Sequence, residues 1–165
     1  MRVFILLLSL TLSACGWQFR GAVTPLMLDT LSLKGAEART RYDIESALLN
    51  RNVLVADAAP MTLQLSRERW WKRTVMVDNQ GRAVGIELRY EIYWQLLDQQ
   101  SAPLTKRREV RLTRIYQVDP TNALATSDED QLTREIMRRD AAELLMQQLT
   151  AESERLIVPA HHEGH

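Results

Sequence analysis

Between Val84 and Leu96 the chain places Val84, Ile86, Leu88, Tyr90, Ile92, Trp94 and Leu96 at every second position, with Glu87, Arg89, Glu91 and Gln95 between them. Successive side chains of a strand point to opposite faces, whereas a helix repeats every ~3.6 residues. The pattern therefore requires one long strand with an apolar face and a wet face. A sheet built around it needs cover on its apolar side only, and the rest of the chain must supply that cover.

The flanking segments read as its partners. Asp78-Asn79-Gln80-Gly81 is a strong hairpin signal, because Asn and Gly accept positive φ angles. Before it, a strand begins at Thr62, where Leu63 and Leu65 alternate with Gln64 and Ser66; its later part carries Arg67, Arg69, Lys72 and Arg73. After it, Asp98 to Pro103 turns the chain, and Leu104 to Val118 reads as a strand with Val110, Leu112, Tyr116 and Val118 on one face, ended by Asp119-Pro120. Leu26 to Leu33, bounded by Pro25 and Lys34-Gly35, is a shorter strand, and Val53-Leu54-Val55 leads on to Pro60.

Two segments carry helical spacing. From Ala38 to Arg51, Ile44, Ala47 and Leu48 share a face, and Asn50-Arg51-Asn52 supplies a stop. Ser127 is the expected N-cap of the second helix, with Asp128, Glu129 and Asp130 in the first turn and Leu132, Ile136, Ala141, Leu144, Leu145 and Leu149 inward to about Ala151. Residues 152–165 have no period and are expected to form a disordered tail. The expected fold is a single α+β domain over residues 15–151, a four-stranded, mainly antiparallel sheet with two helices packed on one face.

With 165 residues, 45% of them hydrophobic, the chain can bury one core. Lysine plus arginine and aspartate plus glutamate each total 21, so there is no bulk field to gather nucleic acid, and none is expected as a partner. His161, His162 and His165 all lie in the tail, leaving the body without a histidine base or metal ligand. A metal role for the tail is set aside because nothing would orient its ligands. No phosphate loop or nucleophile elbow appears either, so neither catalysis nor a cofactor is expected.

At the amino terminus, Val3 to Leu12 is apolar but short of the ~20 residues that span a bilayer. With Leu12-Ser13-Ala14-Cys15-Gly16 it resembles a bacterial lipobox. That resemblance implies a signal peptide over residues 1–14, cleavage before Cys15, and acylation of the cysteine as a membrane anchor. An ordinary signal peptide leaving Cys15 as a thiol is the other reading of the same residues. Gly16, where aspartate would favour inner-membrane retention, points to the periplasmic side of the outer membrane.

Two stretches resemble the LptE family of lipopolysaccharide (LPS)-assembly lipoproteins. One is Leu-Ser-Ala-Cys-Gly-Trp-Gln-Phe-Arg-Gly at residues 12–21. The other comprises Tyr116, Asp119, Asn122-Ala123-Leu124-Ala125, Glu129, Leu132, Glu135, Met137 and Asp140-Ala141-Ala142. The resemblance implies a plug seated in the LptD outer-membrane barrel that binds LPS and assists barrel assembly. Expected barrel contacts are Asp78, Asn79, Gly81, Arg82, Asn122 and Leu124. The sequence departs from some relatives at the hairpin tip, Asp78-Asn79-Gln80-Gly81 with Arg82 one step beyond, and in having Thr126 after Ala125 where a basic residue can occur, so basic tip contacts are not carried over to those positions.

Charge is uneven along the mature chain: residues 64–118 carry 11 basic and six acidic groups, and residues 119–165 carry four and ten. Arg67, Arg69 and Arg73 are expected to share a strand face, with Lys72 on the other, and to lie near Arg107, Arg108 and Arg111. This strip is the expected site for LPS phosphates, a solvated face being the alternative. Trp94 is assigned to the core. A structural accessory lipoprotein of another envelope complex, with no LPS ligand, is the second functional reading.

Overall fold

The computed structural model describes residues 28–157; Cys15 with its lipobox, Trp17 and the three tail histidines lie outside them. The elements are β1 (Thr30–Lys34), α1 (Ala38–Leu49), β2 (Leu54–Val55), β3 (Thr62–Val77), β4 (Ala83–Leu97), β5 (Arg108–Gln117) and α2 (Ala123–Ile157). They form a mixed five-stranded sheet in the order β2-β1-β3-β4-β5. β3-β4 and β4-β5 are antiparallel, whereas β1 runs parallel to both β2 and β3.

The expected four-stranded sheet is thus corrected to five. The additional strand, Leu54–Val55, is two residues long, too short to show alternation, and is identified only by its pairing with Thr30 and Leu31. The last strand starts at Arg108 rather than Leu104, because Leu104 donates its N–H back to the carbonyl of Leu96 and Thr105 Oγ1 accepts the N–H of Leu96. The second helix starts at Ala123, not after Ser127: Asn122 Oδ1 accepts the Ala125 N–H at 3.0 Å, taking the capping role. Asp128, Glu129 and Asp130 therefore fall beyond the first turn. Residues 152–157, assigned from sequence to the tail, are the last turns of this helix, with Ser153 buried.

Both helices pack on the β4 face formed by Ile86, Leu88, Tyr90, Ile92, Trp94 and Leu96. α1 buries Ile44, Ala47 and Leu48 as its spacing predicts, and Asn52 takes a left-handed φ of 61° just beyond its end. α2 buries Met137, Ala141, Ala142, Leu145, Met146 and Leu149, while Leu132, expected inward, is exposed. Trp94 lies in the core as assigned, and its Nε1 donates to Gln148 Oε1 of α2 at 2.8 Å. Arg51 joins the helices, donating to the Ala47 carbonyl and to Glu143.

A β-bulge in β3 decides what the open face carries. Ser66 pairs with Tyr93 and Arg69 with Glu91, so Arg67 and Glu68 together oppose Ile92, and Arg67 adopts a φ of 52°. Before the bulge the odd residues Leu63 and Leu65 face the core; after it the even residues Trp70, Lys72 and Thr74 face the helices. Unbroken alternation from Leu65 would have aimed Arg69, Trp71 and Arg73 into the apolar layer. The extra residue also turns Glu68 inward, where it accepts hydrogen bonds from Thr40 Oγ1 at 2.5 Å and Tyr90 Oη at 3.1 Å.

Candidate functional site

The face of the β3-β4-β5 sheet opposite the helices forms a three-by-three lattice. Its rows, read from register, are Arg69–Glu91–Arg111, Trp71–Arg89–Thr113 and Arg73–Glu87–Ile115. Arg73 grips Glu87 with both Nε and Nη2, at 2.8 and 2.9 Å. Arg89 approaches the same carboxylate at 3.5 Å, and Arg111 bridges Glu91 at 2.8 Å and Glu109 at 2.7 Å. Hydrogen bonding from Arg73 holds the Glu87 carboxyl below its ordinary range, and the charges of Glu109 and then Glu91 raise the Arg111 guanidinium above its own. Arg69 faces Glu91 in register, yet it makes no ion pair within 4.0 Å among the described residues.

The expected basic strip is therefore divided. Arg69, Arg73 and Arg111 share the open face, and Arg67 is exposed in the bulge. Arg108 opposes Trp94, so its side chain turns toward the helices and pairs with Glu152 of α2. Arg107 precedes the strand beside it. Lys72 faces α2, as alternation within the strand's second half requires. The glutamates that neutralise the lattice were legible only as a wet strand face; their spacing opposite arginines becomes meaningful once the register is known.

The proposed partner-contact residues converge at one end. Asp78 organises the hairpin tip: its carboxylate accepts the N–H groups of Gln80 and Arg82 and the Arg82 Nε, while Gly81 takes a φ of 77°. The Arg82 N–H contributes most to holding that carboxyl below its usual range. Val118 donates to the Val84 carbonyl, which brings Asn122 and Leu124 to the tip end of the sheet. Leu124 is 73% exposed there. From Trp71 to Val77 every residue of β3 is exposed, with Lys72 reaching α2 through Asp130.

On the helix side, Asp130 ties α2 to the sheet. It accepts from Lys72 Nζ at 2.7 Å, Arg134 Nε at 2.8 Å and the Tyr116 hydroxyl. Partial burial acts to raise its pKa, but the donors Arg134, Lys72 and Tyr116 outweigh it and hold the carboxyl far below the ordinary range. Because the folded pKa is depressed, this stabilisation is complete above the unfolded value near ~4 and is lost as pH falls toward the folded one. Asp130→Asn is expected to cost about 2 kcal/mol at neutral pH, the scale of charge-assisted hydrogen bonds. Urea titrations from neutrality down through the carboxylate range should show the difference from wild type shrinking with acid; a constant difference would contradict this account.

A helix-backed open sheet with a charge-paired free face defines a small α+β domain, and no cluster of metal-ligating residues occurs among the described residues. No described helix is long and apolar enough to cross a membrane. The chain belongs to the LptE lipopolysaccharide-assembly family, which matches residues 28–149. It is similar to the solution structure of an uncharacterized lipoprotein B from Nitrosomonas europaea: 26% identity, TM-score 0.69, 91% of this chain and 99% of that one covered. Rare lipoprotein B from Shewanella oneidensis also has 26% identity, with a TM-score of 0.67 and coverage of 77% and 98%. A minor lipoprotein from Acinetobacter baumannii, at 20% identity, shares the fold with a TM-score of 0.64 over 77% of this chain and 94% of that one. None of the curated proteins matches the chain.

Proposed function

We propose that this chain is a non-enzymatic outer-membrane lipoprotein, anchored on the periplasmic side through acylated Cys15, that plugs an LptD-type barrel and binds LPS. The observation that carries the reading, beside family membership, is the open sheet face. Barrel lumens are polar, and a plug must offer such a wall hydrogen-bonding groups and balanced charge. The lattice of four arginines and two glutamates is suited to that contact. The hairpin tip with Asp78, Asn79, Gly81 and Arg82, and the start of α2 with Asn122 and Leu124, extend the contact at the tip end. LPS phosphates are assigned to Arg69, with Arg67, Arg73 and Arg111 around it, because Arg69 is the lattice arginine without an ion-pair partner among the described residues. Guanidinium forks match phosphate oxygens, and Trp71 beside Arg69 offers an apolar surface to the sugar.

The pairing of Arg73 and Arg111 with glutamates also favours a second reading, in which the face contacts protein alone and the chain is a structural accessory lipoprotein with no LPS ligand. One experiment separates the two. The acylated protein, purified from outer membranes, should bring a large β-barrel with it in equal amount and bind LPS. Arg69→Glu with Arg111→Glu should weaken LPS binding at least tenfold while leaving the fold intact. Retention of the barrel with unchanged LPS binding in the variant removes the arginine site, and absence of any barrel removes the plug.

A further inference from the structure

At the end of the sheet remote from the hairpin, the start of β5 and the last turns of α2 border an open cleft of about 440 Å³ lined by Arg107, Arg108, Glu109, Gln148, Glu152 and Arg155. Its charges are unequally matched. Arg108 Nη2 and Arg155 Nη1, the latter at 3.1 Å, both donate to the same Glu152 oxygen, Oε1. Arg107 has no ion pair among the described residues, and Glu109 directs its carboxylate to Arg111 on the opposite face. Three guanidinium groups therefore line a concave site in which one carboxylate, engaged through one oxygen, is the anionic partner. Arg155 sits in the last turn of α2, where it complements the helix dipole. That accounts for one of the three cations.

The back wall is rigid. Gln148 accepts from Trp94 Nε1 at 2.8 Å and so cannot swing freely, and Trp94 itself is fully buried. Arg108 is fixed in register opposite Trp94. The wall behind the arginines is thus in place before any ligand arrives.

We propose that this cleft is a phosphate-binding site, separate from the open face, in which Glu152 occupies the position of the bound anion when the site is free. A phosphate group presents more acceptor oxygens than a carboxylate and can engage Arg107 together with Arg108 and Arg155 through charge-assisted bonds. Glu152 competes with the ligand for two of the three donors, so removing its charge strengthens phosphate binding, whereas removing Arg107 weakens it. Two sources offer the same chemistry. A phospholipid headgroup is one, since β1 begins at this same end of the sheet and the chain ahead of it carries Cys15. A free phosphate is the other. The site does not depend on LPS binding at Arg69.

The test uses the full mature protein in neutral detergent, titrated with inorganic phosphate by calorimetry. Glu152→Gln is expected to tighten binding about tenfold, as one lost competing charge within contact distance warrants, and Arg107→Ala to loosen it by at least a similar factor. Arg69→Ala, on the other face, should leave it unchanged, which keeps the result distinct from the LPS assignment. Arg107 is exposed and outside the strand, so its variant retains the fold even if Glu152→Gln loosens α2. Hydrogen exchange at residues 107–110 and 148–155 in vesicles of phosphatidylcholine with and without phosphatidylglycerol then assigns the source. Slowing with the anionic lipid identifies the headgroup; slowing with inorganic phosphate only identifies the free ion. No phosphate binding, or binding that neither Arg107→Ala nor Glu152→Gln alters, overturns the proposal.

Discussion

Trp94→Ala is expected to destabilise the domain by about 3 to 5 kcal/mol, the range for deleting a large aromatic side chain from a packed core. Trp94 is fully buried on the central strand, flanked in register by Leu65 of β3 and Arg108 of β5. Two losses add. The indole volume becomes a cavity beneath α2, and Gln148 loses the donor that satisfies its side-chain oxygen. Trp94→Phe should cost less, because it keeps most of the ring and forfeits mainly the hydrogen bond. Urea unfolding with an unchanged slope would report both changes as shifts of the midpoint. A loss below about 1 kcal/mol for the alanine variant would be incompatible with this core.

Gly35→Ala should be nearly as damaging, on the order of 3 kcal/mol, for a different reason. Gly35 closes β1 with a φ of 84°, a region in which a side-chain Cβ costs roughly 1–2 kcal/mol by itself. A Cβ there would also stand 2.2 Å from the Leu65 carbonyl oxygen and 2.6 Å from Gln64 Nε2. The carbonyl is backbone of the neighbouring strand, so relief requires β1 and β3 to separate just before the bulge, with strain of the overpacking kind added. Gly81→Ala is the control: it shares the positive φ but meets no atom within 4 Å, and should cost only the backbone part, about 1 kcal/mol. Equal losses for the two variants would show that the approach to Leu65 contributes nothing.

The elements with a sustained period were legible in the sequence. β4 follows from its seven alternating apolar residues, α1 from Ile44, Ala47 and Leu48, and the hairpin from Asp78 to Gly81, each confirmed in place. The segments misplaced were those governed by a single contact. Leu54–Val55 is a strand because Thr30 and Leu31 run beside it, and Asn122 displaces Ser127 as the cap because the chain leaving β5 sets the helix entry there. Leu132 and Met137 both fit a helical stripe, and packing on β4 selected Met137.

For the candidate site the division is sharper. Composition and spacing determined that arginines accumulate around residues 67–73 and 107–111, and that no histidine lies in the body of the chain. Which of those arginines meet was decided by tertiary structure. The bulge at Arg67 and Glu68 reverses the parity of β3 and moves Arg69, Trp71 and Arg73 to the open face, while the register of β5 sends Arg111 outward to join them and Arg108 inward to Glu152. The physical reason is that side-chain direction along a strand has a period of two, so one inserted residue reverses every later position. No local propensity at Arg67 announces the insertion; it is favourable only because Thr40 of α1 and Tyr90 of β4 are there to receive Glu68.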